Sequence, residues 1–378
     1  MSEGQRESLH GVAHAVLTRR HAILLTAVLL TLSVGGLTRQ PEIRSEGSTL
    51  PDRLNDRQFW GLVTELSEPD GTFRSDNLLS NEIFLQYVIP DLVNTARPQR
   101  VYMGVGPEQN FTYIAALRPK MVFIVDVRRG NLQLHLMYKA LFEMSDTRAE
   151  FVGRLFSKKR PDGLSTKSTA EEIFAAYAKV DTSDTLYQQN LKEIQSYLVR
   201  KRKLPLDSDD LKGIEYVYYA FYWYGPIIQY WSSTGGRGFR DAPTYVDLMI
   251  AEDGKGQNRS FLASEENYKV VKDLHSKNLF VPVVGNFAGP KAIRAVGRYI
   301  KDRNALVAAF YLSNVEQYLD REGRRHTFCA NVATLPLDHT STFIRSVRNG
   351  MYGRGVGLDS VLGNISAEVK NCRSTQHY

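Results

Sequence analysis

The sequence predicts an α/β fold: a mostly parallel sheet with helices on both faces, a large mainly helical insertion and an N-terminal apolar helix. Three observations carry this. Short β-branched, apolar runs alternate with helical stretches from residue 100 onward, as parallel strands joined by crossovers require. The rhythm breaks between about residues 150 and 256 and then resumes. A charge-free apolar stretch stands near the N-terminus.

That stretch, residues 21–37, contains no Asp, Glu, Lys or Arg and follows Arg19 and Arg20. As a helix it is about 25 Å long, the lower end of the membrane-spanning range. Residues 22–34 also suit the apolar region of a signal peptide, with Ser33-Val34-Gly35 as a small-residue cleavage site. Residues 18–20 loosely resemble a twin-arginine export signal. Residues 1–37 are therefore read as a signal peptide or a membrane anchor. A buried core helix is the third alternative, but the run lacks a polar face. Under the positive-inside rule the two arginines stay cytoplasmic and the bulk of the chain lies outside. The chain is expected to be membrane-associated or exported.

Residues 38–56 read as a polar linker, 57–350 as the main domain and 351–378 as a C-terminal tail. Residues 59–94 form a mostly helical preface interrupted by the turn SEPDGTFRSDN, with helical spacing over 78–92. RVYMG at 100–104 reads as a strand, 110–117 as a helix, KMVFIVDV at 120–127 as a strand covered on both faces. In the helix 131–144, Leu132, Leu136, Ala140 and Phe142 are the inward candidates. The insertion holds a helical stretch over 170–203 and then YVYYAFYWYGPIIQYW, residues 216–231, nine of whose sixteen residues are aromatic. This is a packed helix ended by Pro226, or an aromatic wall for a planar substrate. The loop STGGRGFRD after it could approach an anion through backbone N–H groups, or simply flex. The alternation resumes with a helix at 264–278, a strand at 280–287 and a helix at 290–302 with Pro290 in its first turn. A strand at 305–312 follows, and residues 341–347 read as an edge strand.

Composition narrows the class. With 43% hydrophobic and 24% charged residues the chain is globular material. Its net charge of +7 is dispersed, which suits anionic ligands or lipid; no nucleic-acid partner is expected. Cys329 and Cys372 match no metal spacing. They are read as an unpaired core thiol and a frayed one, with a disulfide as the alternative for an exported chain.

The chemistry-bearing stretch is VYMGVGPEQNFTYIAALRPKMVFIVDV. A strand ends at Gly104, Gly106 follows, and a helix begins near Asn110, so its positive end faces the crevice. Asp126 closes the next strand, where an acid accepts both hydroxyls of a ribose. A tight turn, with Asp126 capping the following helix, is the structural alternative. Gln109 stands where the dinucleotide fingerprint has its third glycine, against NAD, and no GxxxxGK[ST] occurs, against a P-loop. Together these indicate a Rossmann-like domain with a small-molecule pocket at residues 104–110.

At these residues the chain resembles the class I S-adenosylmethionine (SAM)-dependent methyltransferases. It also resembles a bacterial family carrying GVGPEQNF, FIVDxRRxN and SNVEQYL, over roughly residues 60–350. The resemblance implies SAM as cofactor. Gly104, Gly106, Gln109 and Asn110 would hold its methionine end, Asp126 the ribose, and Gly285 with Asn286 the adenine. Asn314 and Glu316, after the strand ALVAAFYL, would face the methyl acceptor, Glu316 as general base. The chain departs from that family in having Tyr102-Met103 before the turn, Asn286 in place of Asp, and the long insertion. His135 reads as packing or capping. Arg128 and Arg129 pair with Asp126 or bind an anion. Glu82 reads as a lid residue over the glycine loop or as part of a solvated helix face. The runner-up function is a non-catalytic Rossmann-like module binding a nucleotide or small anion at the cell envelope. A third is a membrane-anchored interaction protein with a vestigial pocket.

Overall fold

The computed structural model describes residues 47–230, 232, 242–348 and 358–374; the apolar stretch 21–37 and the glycine loop 233–241 lie outside the described residues. Among the described residues no helix is long and apolar enough to cross a membrane.

The first helix, α1 (Asp56–Leu66), is opened by a capping box in which Asn55 and Gln58 satisfy each other's backbone N–H groups. It buries Phe59, Val63 and Leu66 at helical spacing. Residues 67–84 then run without regular structure. A 3-10 turn (Leu85–Val88) leads into α2 (Ile89–Thr95). Helical spacing over 78–92 thus predicts too long a helix: its first half is irregular chain, with Leu78 and Leu79 buried.

The core unit is β1 (Val101–Gly104), α3 (Gln109–Leu117), β2 (Met121–Asp126) and α4 (Arg129–Met144). Every residue of β1 and β2 is buried, as their unbroken apolar runs require. Leu132, Leu136, Ala140 and Phe142 of α4 all face inward.

The insertion is helical: α5 (Arg148–Leu155), α6 (Ala170–Tyr177), α7 (Asp184–Ser196) with a π turn at its end, α8 (Ser208–Tyr224) and α9 (Tyr245–Ile250). Asp207 caps α8, which packs on α4 and ends at Gly225-Pro226. The main domain resumes with α10 (Glu265–Ser276), β3 (Phe280–Val284), α11 (Ala292–Lys301) and β4 (Val307–Ser313). Then come α12 (Val315–Arg321), α13 (Arg325–Val332), β5 (Thr342–Arg348), β6 (Leu358–Asn364) and α14 (Ile365–Ser374).

Among the described residues six strands lie in the order β3-β2-β1-β4-β5-β6, parallel except for β6. This is the order of a doubly wound sheet, and it reverses between β1 and β4. Helices α3, α4 and α10 pack together against the sheet, and α11 packs on β2 and α13. Two expectations are corrected. β5 is not the edge, since β6 pairs with it antiparallel from Thr342↔Asn364 to Arg348↔Leu358, so the sheet continues beyond residue 350. Cys329, on α13, is disulfide-bonded rather than unpaired; the sequence holds one other cysteine, Cys372.

Candidate functional site at the carboxyl edge of the sheet

The glycine turn after β1 is built from its own side chains. Asn110 donates to the carbonyls of Val105 (2.9 Å), Gly106 (3.4 Å) and Pro107 (2.8 Å) and accepts from the Tyr102 hydroxyl (2.9 Å). A side chain at position 104 would collide with the Asn110 amide, and Gly106 has a φ of 76°, so both glycines are required by the turn. His135, reaching from α4, meets the Gly106 carbonyl at 2.9 Å. Burial lowers its pKa to about 4, against the opposing pull of that bond, so the ring is neutral and its Nε2 donates.

Asp126, at the carboxyl end of β2, is buried and accepts from Arg128 three times: the backbone N–H (3.0 Å), Nε (3.2 Å) and Nη2 (3.2 Å). The remaining Arg128 nitrogen donates to the Ser75 carbonyl (3.1 Å) and to that of Asp76. Residues 67–82 therefore form a strap across the ends of the strands. Glu68 opens it: its N–H bonds the Val284 carbonyl (2.7 Å), and its carboxylate accepts from the N–H groups of Asn286 (3.0 Å), Lys291 and Ala292 (both 2.8 Å). A carboxylate so placed at the start of α11 interacts favourably with the helix dipole. Gly71 donates to the Val127 carbonyl (2.9 Å), Asp70 accepts from Arg129 N–H (2.6 Å), and Ser80 N–H bonds Glu108 Oε1 (3.1 Å). The Arg129 side chain turns away, forming a two-pronged pair with Asp210 of α8 at 2.7 Å for each contact.

The strap ends at the reversal of strand order. There Glu82, 1% exposed, accepts from the hydroxyls of Tyr311 (2.6 Å) and Ser313 (2.8 Å), both on β4. Ser313 has a φ of 49°, and the β4–β5 register slips between Tyr311 and Ser313. Gln109 donates to the Tyr311 hydroxyl at 3.0 Å. Glu108 Oε2 and Gln109 Oε1 are buried here without a hydrogen-bond partner, and the Ser346 hydroxyl of β5 bears on Glu82 together with those of Tyr311 and Ser313. Burial raises the pKa of Glu82, and that of Glu108 to about 8.

The fold thus gathers Gly104, Gly106, Gln109, Asn110, Asp126, Gly285 and Asn286 at one sheet edge. Gly285 N–H bonds the Asp126 carbonyl (2.7 Å), and Asn286 folds its side chain back onto Ala288 N–H (2.9 Å). Asn314 and Glu316 lie beyond β4, but Glu316 is held by Arg345 of β5 and by Arg325 of α13 (3.3 Å). Arg345 also binds Glu368 (2.6 Å). No cluster of three or more metal-ligating side chains occurs among the described residues. Sequence reasoning missed Glu68, Glu108 and Tyr311; Glu108 carried a signal in its place inside the glycine motif, and Ser313 opens the SNVEQYL motif. Glu82 is a strap residue, neither on a helix nor solvated.

No curated protein matches the chain. Residues 78–366, which take in every strand and the end of the strap, match one family, so the chain is a member of the family described as a domain of unknown function, DUF7790.

Proposed function

We propose that the protein binds a nucleoside-bearing ligand, S-adenosylmethionine first among the candidates, at the carboxyl ends of β1 and β2, and transfers its methyl group to an acceptor. One observation carries the reading. The strand order reverses between β1 and β4, and the glycine turn of β1 sits beside an acid at the end of the neighbouring strand. Ligands of doubly wound sheets bind at that point. The residues fit a ribose on one condition. Asp126 must exchange Arg128 for the two hydroxyls, and the strap must yield with it. The ligand would supply an electrophilic methyl group. The chain's share is positioning and water exclusion, which can account for much of such a rate enhancement.

Titration calorimetry of the full-length chain with SAM and with S-adenosylhomocysteine tests this. Binding is expected, and Asp126→Ala should weaken it by about 1–3 kcal/mol through the lost hydrogen bonds. No heat with either ligand at saturating concentration removes the proposal.

The second reading, a non-catalytic binding module at the cell envelope, is favoured by a separate observation. Glu316, the expected base, is tied to two arginines, and Cys329 sits in a disulfide, a bond that persists in oxidising compartments. Binding of SAM without transfer to any cell fraction incubated with labelled SAM would decide for it. Membrane attachment through residues 21–37 is part of both readings.

A further inference from the structure

Arginines crowd the carboxyl edge of the sheet, and several are neutralised there. Arg128 pairs with Asp126, Arg129 with Asp210, Arg325 with Glu316 and Asp320, and Arg345 with Glu316 and Glu368. Arg74 of the strap and Arg321 of α12 are not: no carboxylate of the described residues comes within ion-pair distance of either. Both are exposed, yet they converge on one ring. Their guanidinium carbons stand 5.4 Å and 5.7 Å from the centre of the Tyr318 ring, and Arg74 Nη2 donates to the Tyr318 hydroxyl at 2.8 Å. Phe73 meets the same ring edge-on at 5.2 Å. Tyr230, bonded to Ser75, is coupled electrostatically with Tyr318, Arg128 and Arg74, so it closes on the same spot. The acids beside the two arginines in sequence are turned elsewhere: Asp76 accepts from the Tyr216 hydroxyl (2.7 Å) and Asp320 from Arg325 (2.8 Å). The strap carries Arg74 past Asp126, and α12 brings Tyr318 and Arg321 in from the end of β4, so the contact bridges the two strand ends that flank β1. Two like charges held at one ring repel, and an oxyanion taken between them turns the repulsion into attraction. A guanidinium offers planar N–H pairs that match phosphate oxygens. Tyr318, which accepts from Arg74, keeps its own O–H to donate.

We infer that Arg74, Arg321 and the Tyr318 hydroxyl form a binding site for a phosphate group, whose charge of about −2 near neutral pH matches the two guanidiniums. S-adenosylmethionine carries no phosphate, so the site goes beyond the reading above. In methyl transfer it makes the acceptor a phosphate-bearing molecule, and in the binding module it makes the ligand one. Its test uses phosphate without a nucleoside, so it stands or falls separately from that reading.

The probe is sodium phosphate near neutral pH, added to the full-length chain, with sodium chloride at equal ionic strength as the control. Phosphate alone should raise the unfolding temperature, by mass action on the folded state. In titration calorimetry Arg74→Gln and Arg321→Gln should each weaken binding by about 5–10-fold, the effect of a charge-assisted hydrogen bond at an exposed position. The double variant should show no measurable binding. Tyr318→Phe keeps the ring and removes the hydroxyl, and should weaken binding less. Arg303→Gln is the matched control. Arg303 also stands on a tyrosine, 3.6 Å from the centre of the Tyr299 ring, but in the loop before β4, at the opposite edge of the sheet. Its loss removes the same charge and should change nothing. A thermal shift no greater than that of chloride, binding unchanged in the folded double variant, or equal weakening in Arg303→Gln overturns the inference. If the double variant does not fold, binding unchanged in both Arg321→Gln and Tyr318→Phe overturns it equally. Adenosine 5′-monophosphate distinguishes the source of the phosphate. Tighter binding than inorganic phosphate places it on a nucleotide, equal binding places it on a separate acceptor, and in both cases the double variant must lose it.

Discussion

At the residue scale, the glycine turn is a small closed system. Asn110 makes four hydrogen bonds that no other residue type of its size could make together, three to carbonyls and one to Tyr102. Asn110→Ala strands those partners and should cost about 3 kcal/mol or more, read by denaturant unfolding. Glu108 beside it makes stability depend on pH. Its folded pKa of about 8 lies above the ordinary 4.5, so the folded chain holds a proton that the unfolded chain releases in between. Its contribution is present below about pH 4.5 and is lost as pH rises through about 8. His135 works in the other direction, because a pKa lowered to about 4 gives stability above 6.5 that is lost on acidification. The difference between wild type and Glu108→Gln isolates the first effect. The variant should gain relative stability as pH rises from 5 to 8, in unfolding curves taken across that window. A pH-independent difference would show that Glu108 is not a buried neutral acid.

At the scale of elements, the strap decides what the crevice can do. Besides its backbone bonds and Glu82, one guanidinium ties its middle to the sheet: Arg128 joins Asp126 to the carbonyls of Ser75 and Asp76. Arg128→Ala leaves a buried carboxylate unpaired and should destabilise by about 3–5 kcal/mol. Hydrogen exchange should rise over residues 70–80 before it rises in β1 or β2, because the strap has no ladder of its own. Equal change throughout would mean that the strap and sheet open as one unit. The same comparison explains what was legible in the sequence. β1, β2, β3 and β4 show as apolar runs because both their faces are covered, and the glycine turn with Asp126 shows because backbone geometry and strand ends demand those residues. The strap does not show. Its bonds are mostly to backbone groups far along the chain, and such bonds leave no periodicity. Leu78 and Leu79 continue the helical spacing of Leu85 and Leu92 because irregular chain packed on the core also buries leucines. β6 was hidden for the opposite reason, being an edge strand, LDSVLGN, half open to water. Arg128 and Glu316 were visible as residues, but their partners were not, since a charge pair is fixed only by the tertiary fold.

At the scale of the whole molecule, compartment and chemistry constrain each other. SAM is made and used in the cytoplasm, whereas the positive-inside rule, applied to the arginines before residues 21–37, leads to the expectation that the main domain lies on the far side of a membrane. The disulfide at Cys329 argues for the same side, since cytoplasmic thiols are kept reduced. Under that placement the expected outcome is a membrane-bound chain whose domain is digested by protease added to cells with a permeable outer layer and an intact inner membrane. Alkylation without reductant should then leave Cys329 unmodified, and reduction should expose it. Cys329→Ser should lower stability by about 2–4 kcal/mol, the usual contribution of a natural bridge. Two results would reverse the placement: a domain protected from protease until the inner membrane is broken, or a Cys329 that is alkylated without reduction in freshly lysed cells. Either would return the domain to the compartment that holds SAM and strengthen the methyltransferase reading. Digestion of the domain with Cys329 protected would do the reverse, leaving the crevice for a ligand found outside the cytoplasm and favouring the envelope binding module.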